Sequence, residues 1–102
     1  MKTFRKFNES ANKKGWAVLV GDSTAKSLSD GFVRASNSQG MNSYVLSLPG
    51  CSFQLFDSPF TATDQCVGLR ADVFKALQQI QPTVVVIANL NSLYVKEPLP
   101  GW

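Results

Sequence analysis

The chain has 102 residues, of which 44% are hydrophobic and 17% are charged, as expected for one soluble globular domain with a modest core. Its net charge of +3 is uneven: residues 1–14 contain five basic residues and one acidic residue, which leaves the remainder slightly acidic. A nucleic acid is therefore not an expected partner. The chain has no histidine, which excludes a complete Ser-His-Asp or Cys-His relay and a histidine-ligated metal site within it. Neither a metal nor a cofactor is expected.

Residues 1–14 are interpreted as a basic leader or linker, and residues 15–102 as the folded domain. The leader has no apolar run of the kind that makes a signal peptide, and no stretch of the chain approaches the length of a membrane span. We expect a solvated terminus that frays, with contact to anionic lipid headgroups as the alternative.

The first predicted strand is the apolar run WAVLV, residues 16–20, which is bounded by Gly15 and Gly21. Apolar residues at helical spacing then predict a helix that ends near Gly40; they are Ala25, Leu28, Phe32 and Ala35. Residues 43–48 predict a second strand, which Pro49 and Gly50 end.

Residues 49–66 are predicted to form a loop that is long for a compact domain and is bracketed by Cys51 and Cys66. We expect a disulfide to close this loop and to stabilise the fold by roughly 3 kcal/mol in the chain-entropy model. A disulfide would indicate an oxidising compartment such as the periplasm, whereas two buried thiols in a cytosolic protein are the alternative. The loop's phenylalanines can line an acyl or sugar pocket, although covering the sheet is their commoner use; they are Phe53, Phe56 and Phe60.

A second helical stripe follows the loop and stops before Pro82, and the β-branched run TVVVIANL, residues 83–90, predicts a strand buried on both faces. The order of elements predicts an α/β fold, with a three-layer, flavodoxin-like parallel sheet of about three strands. The last residues, 91–102, contain two prolines and a glycine, and we expect no fourth strand there. Because the third strand would then be an exposed apolar edge, the domain is expected to continue beyond Trp102.

Three loops are expected to meet at the carboxyl ends of the strands, where parallel sheets bind ligands. They are GDS at 21–23, PGC at 49–51 and NLN at 89–91. Their backbone amides and polar side chains suit an anion or an oxyanion. Gly21 and Asp22 are expected to hold the first turn, and Ser23 or Asp22 can cap the helix that follows.

These loops resemble the motifs of the SGNH (GDSL-type) esterases and acyltransferases. The similar segments are VLVGDSTAKSL at 18–28, LPGC at 48–51 and VVVIANLNSLY at 84–94. The resemblance implies that Ser23 is the nucleophile, and that the oxyanion hole consists of the Ser23 amide, the Gly50 amide and the side chain of Asn91. If the alignment shifts by two residues, Asn89 takes the place of Asn91.

Within that family, the chain is similar to the SGNH domains carried by type-three membrane acyltransferases, which O-acetylate bacterial surface polysaccharides. The resemblance implies an esterase or O-acyltransferase for acetyl-like esters of a surface glycan, located in the periplasm, with a membrane acyltransferase domain in the parent chain. The family's Asp-x-x-His is missing, and the 102 residues alone are expected to be inactive. The alternatives are a non-catalytic α/β binding module and a degenerate phosphate-binding loop that ends in Lys26 and Ser27.

Overall fold

A computed structural model describes residues 3–7, 14–51, 53, 66–89 and 92–96. These residues form five strands and two helices. In chain order the elements are β1 (Thr3–Phe7), β2 (Trp16–Gly21), α1 (Ser23–Ser38), β3 (Asn42–Ser47), α2 (Val67–Ile80), β4 (Val84–Asn89) and β5 (Ser92–Lys96).

The strands form one mixed sheet in the order β1-β3-β2-β4-β5. Its centre is parallel, because β2 pairs in parallel with β3 on one side and with β4 on the other, so that Leu19 lies between Val45 and Val86. In chain order the parallel strands are β2, β3 and β4, and in the sheet they lie in the order β3-β2-β4. The first parallel strand is therefore central, as in a flavodoxin-like sheet. The predicted α/β fold is confirmed.

Side chains that alternate along the central strands are buried against different helices. Val18 and Val20 belong to a cluster with Val73 and Leu77 of α2. Leu19, between them, belongs to a second cluster with Ala25 of α1. Because neighbouring residues of a strand point to opposite faces, the two helices cover opposite sides of the sheet, and the predicted three layers are present.

The two outer strands differ from the sequence expectations. β1 pairs antiparallel with β3, and β5 pairs antiparallel with β4. The expectation that residues 1–14 form a solvated leader is therefore wrong for Thr3–Phe7, and so is the expectation that no strand follows β4. Without β1 and β5, the parallel strands β3 and β4 would present free amides and carbonyls at apolar edges of the sheet.

Apolar side chains attach β1 to both layers of the core. Phe4 packs edge-on against Tyr44, with ring centroids 6.4 Å apart, and contacts the cluster beneath α2. Phe7 contacts the cluster beneath α1. Arg5 and Lys6 lie between the two phenylalanines and are exposed. Because of these two charged residues, the sequence of β1 lacks the apolar alternation that is typical of a strand.

Local signals end both helices where the sequence suggests. Gly40, with φ +75°, follows α1, and its amide donates to the Asn37 carbonyl. At the end of α2, Gln81 is left-handed with φ 52° and precedes Pro82. Within the described ranges, neither helix combines the length and the apolar character needed to cross a bilayer.

Candidate functional site

The turn that carries Ser23 is very short. β2 ends at Gly21 and α1 begins at Ser23, so that Asp22 alone connects them. Asp22 is buried, and its Oδ1 accepts a hydrogen bond from the Thr24 amide at 2.8 Å, which caps the helix. Ser23 is exposed at the first position of α1, and its hydroxyl has no hydrogen-bond partner among the described residues.

Gly21 permits a close approach of β2 to β4. A Cβ added at this position would collide with the Ala88 carbonyl oxygen, and it would lie 2.7 Å from the carbonyl carbon of the same residue. Only a residue without a side chain fits here. The glycine that precedes Asp22 therefore serves strand packing at the edge where Ser23 emerges.

The segment LPGC forms a tight turn beside the Ser23 turn. The Cys51 amide donates to the Leu48 carbonyl at 2.8 Å, and Gly50 occupies the third position with φ +78°. With Pro49 at the second position, this is a type II turn. The Leu48 amide donates to the Gly21 carbonyl at 2.8 Å, which fixes the turn next to the end of β2. Gly50 itself is exposed and has open space around its Cα.

Asn89, the last residue of β4, connects the Ser23 turn to the segment after Cys51. Its Oδ1 accepts hydrogen bonds from the Asp22 amide at 3.3 Å and from the Phe53 amide at 3.1 Å. Its Nδ2 donates to the Phe53 carbonyl at 2.8 Å. This role was not predicted from the sequence, in which an asparagine at the end of an otherwise apolar strand was the available signal. Asn91 lies outside the described residues.

The Cys51–Cys66 disulfide is present, with the two Cα atoms 5.7 Å apart. It joins the turn that contains Gly50 to the residue before α2. Phe53 is 1% exposed and packs against Phe74 of α2, with ring centroids 5.3 Å apart. Phe53 therefore covers the sheet, which is the commoner of its two expected uses. Phe56 and Phe60 lie outside the described residues.

Comparison with protein families adds to this geometry. The family model of the SGNH domain (fused to AT3 domains) matches residues 4–100. The chain belongs to this family. Neither the curated proteins nor the solved structures gave a match to the chain at the significance required.

Membership of the family supports a hydrolase-like or acyltransferase-like module. The fusion in the family's description supports a membrane acyltransferase domain as the partner within a longer protein. The disulfide of this SGNH domain is compatible with an extracytoplasmic location.

The helix boundary argues against the phosphate-loop alternative for this SGNH domain. Lys26 and Ser27 lie inside α1, and the Ser27 hydroxyl donates to the Ser23 carbonyl one turn back at 3.2 Å. A phosphate-binding loop needs several residues between strand and helix to surround the phosphate with amides, and here only Asp22 is available. In the parts of the chain that the structure describes, no three acidic, cysteine or histidine side chains are grouped to hold a metal ion.

Proposed function

We propose that Ser23 is the nucleophile of an SGNH-type serine esterase or O-acyltransferase that acts on acetyl-like esters of a surface glycan. One observation carries the proposal: the exposed Ser23 hydroxyl stands at the N-terminus of α1, directly after a buried cap, at the carboxyl end of the central strand. In open α/β sheets, this is the edge where ligands bind. Family membership favours ester chemistry over other uses of such a serine.

The reaction requires hydrogen-bond donors for the oxyanion that forms when a serine hydroxyl attacks an ester carbonyl. The amides of Ser23 and Gly50 are the proposed backbone donors, and one such donor is worth on the order of 3 kcal/mol. The Leu48–Gly21 hydrogen bond supports this pairing, because it holds the Gly50 turn beside the Ser23 turn. The third proposed donor is the side-chain amide of Asn91.

Asn89 remains the alternative third donor. One of its two amide hydrogens is engaged by the Phe53 carbonyl, which leaves the second hydrogen for an oxyanion. In either assignment, Asn89 also positions the Asp22 amide beside the nucleophile.

Activation of Ser23 requires a base, and the 102 residues contain no histidine. The proposed base is the histidine of an Asp-x-x-His in sequence beyond Trp102, so that the sheet from β1 to β5 is part of a longer catalytic domain. A membrane acyltransferase domain in the same protein would deliver the acyl group, and the site would face the periplasm. The 102 residues alone are then inactive.

The first test is to sequence the locus on both sides of this reading frame. An in-frame Asp-x-x-His downstream supports the proposal, and its absence removes the proposed catalytic base. The full-length gene product is then treated with a fluorophosphonate probe. We expect labelling that Ser23→Ala abolishes and that Ser27→Ala, one helical turn away, retains. Equal labelling of the Ser23→Ala variant would show that another residue is the nucleophile.

A further inference from the structure

A cavity of about 190 Å³ lies between β1, β3 and α1, on the face of the sheet that α1 covers. It is smaller than the roughly 300–1,000 Å³ typical of pockets for drug-sized ligands, so it suits a single sugar unit rather than an extended chain. Two cationic side chains, Arg5 and Lys26, contribute to its wall.

The charge of these two side chains is not neutralised by other described residues. Neither Arg5 nor Lys26 is paired with a carboxylate there; the ion pair between Arg34 and Asp30 lies elsewhere on α1. The Arg5 guanidinium lies over the Phe7 ring, 5.0 Å from its centroid, which restricts the guanidinium while leaving its N–H groups available. A cavity with two such cations favours an anionic group.

Hydroxyl groups complete the polar lining. Thr3 of β1, Ser29 of α1 and Ser47 of β3 all face the cavity. The Ser29 and Ser47 hydroxyls already donate to the carbonyls of Lys26 and Asp22, and Ser47 is buried. Ser29 can therefore accept a hydrogen bond from a sugar hydroxyl, and Thr3 can both donate and accept. The lining thus combines the groups that recognise a carboxylate with those that recognise a polyol.

The cavity begins next to the turn that carries the proposed nucleophile. The Ser47 hydroxyl, part of the lining, donates to the Asp22 carbonyl at 3.4 Å. Lys26 follows Ser23 by three residues in α1, and residues with this spacing are neighbours on a helix surface. A ligand in the cavity is therefore close to the Ser23 edge of the sheet.

We propose that this cavity binds a carboxylate-bearing sugar, a uronic acid unit of the glycan, through Arg5 and Lys26. The carboxylate accepts hydrogen bonds from the paired N–H groups of Arg5 and from the ammonium of Lys26, and the sugar hydroxyls contact the side chains of Thr3 and Ser29. The assignment of the glycan as substrate rests on the function proposed above, whereas binding of the acidic sugar rests on the cavity lining alone.

The test measures binding by NMR titration of the 102-residue chain with methyl glucuronoside, methyl glucoside and inorganic sulfate. We expect the glucuronoside to shift amide signals of β1 and α1 and to bind at least tenfold more tightly than the other two probes. Equal affinity for the neutral glucoside would overturn recognition of the carboxylate. Sulfate binding as tight as that of the glucuronoside would reduce the site to a general anion site and overturn the proposal for a sugar.

Variants then locate the binding. Arg5→Gln and Lys26→Gln are each expected to weaken glucuronoside binding about tenfold, the loss expected for one charge-assisted contact. Lys6→Gln is the matched control, because Lys6 is in the same strand but lies over the Trp16 and Tyr44 rings. Weakening by Lys6→Gln as large as that by Lys26→Gln would show a non-specific charge effect. If Arg5→Gln disturbs β1, the exposed helical position Lys26 still decides the outcome.

Fluorophosphonate labelling of the full-length gene product separates this inference from the proposed function. Labelling at Ser23 without glucuronoside binding would overturn the sugar site alone. Glucuronoside binding that depends on Arg5 and Lys26, without labelling at Ser23, would support the sugar site and overturn the nucleophile.

Discussion

The side chain of Asn89 and the backbone of Phe53 exchange two hydrogen bonds, one in each direction, at 3.1 and 2.8 Å. The same side chain also accepts from the amide of Asp22. Thirty-six residues separate Asn89 from Phe53, and sixty-seven separate it from Asp22. One asparagine thus joins the end of β4, the turn before Ser23 and the segment after Cys51.

Replacement of Asn89 by aspartate should destabilise the fold. Asn89→Asp keeps an acceptor for the Asp22 and Phe53 amides, but it places a carboxylate oxygen where an N–H now donates to the Phe53 carbonyl. We expect the free energy of unfolding, measured with urea, to fall by about 2 kcal/mol. Gln78→Glu makes the same amide-to-acid change at an exposed position of α2 and should stay within about 0.5 kcal/mol. An equally small effect of Asn89→Asp would show that the hydrogen bonds of Asn89 contribute little to stability.

Two glycines should respond in opposite directions to the same substitution. Gly21→Ala introduces a methyl group into the backbone of β4 and should lower the free energy of unfolding by about 3 kcal/mol. Gly31 lies in the middle of α1 with open space around it, and Gly31→Ala should raise the free energy by about 1 kcal/mol through helix propensity. Urea unfolding of both variants checks this, and a tolerated Gly21→Ala would contradict the close approach of β2 and β4.

Loss of the Cys51–Cys66 disulfide should also lower stability. The bond closes a loop with a sequence separation of 15, for which the chain-entropy model gives about 3 kcal/mol. A variant with both Cys51→Ala and Cys66→Ala should unfold at lower urea concentration than the parent under oxidising conditions. Added dithiothreitol should destabilise the parent and leave the double variant unchanged. Insensitivity of the parent to the reductant would contradict a stabilising bond.

Two serines of β3 should differ when each is replaced by alanine. Ser43 is fully buried, and its hydroxyl has no hydrogen-bond partner among the described residues, so Ser43→Ala should raise the free energy of unfolding by about 1 kcal/mol. Ser47 is equally buried but donates to the Asp22 carbonyl, so Ser47→Ala should lower it by about 1 kcal/mol. The two variants serve as each other's control in urea unfolding. Equal effects would show that the hydrogen bond of Ser47 does not distinguish the two positions.

Local patterns in the sequence were sufficient to predict both helices and the three parallel strands. The apolar spacing of α1, the β-branched run of β4 and the punctuation around Gly21, Pro49 and Pro82 are properties of neighbouring residues. The motif around Ser23 and the cysteine pair were equally visible. Each helix and parallel strand could be predicted because its geometry is set by residues only a few positions apart.

The outer strands and the contacts of the site were decided by tertiary structure. Thr3–Phe7 contains three polar or charged residues. It forms a strand because its backbone pairs with β3, and because its two phenylalanines pack against the core clusters on opposite faces of the sheet. Asn89 meets Asp22 and Phe53 only after the sheet has formed. The sequence by itself thus determined both helices, the three parallel strands and the position of Ser23 after a strand, and it favoured the disulfide over two free thiols. Pairing at the edges and convergence at the site depend on contacts between distant residues, whose formation is a property of the whole fold.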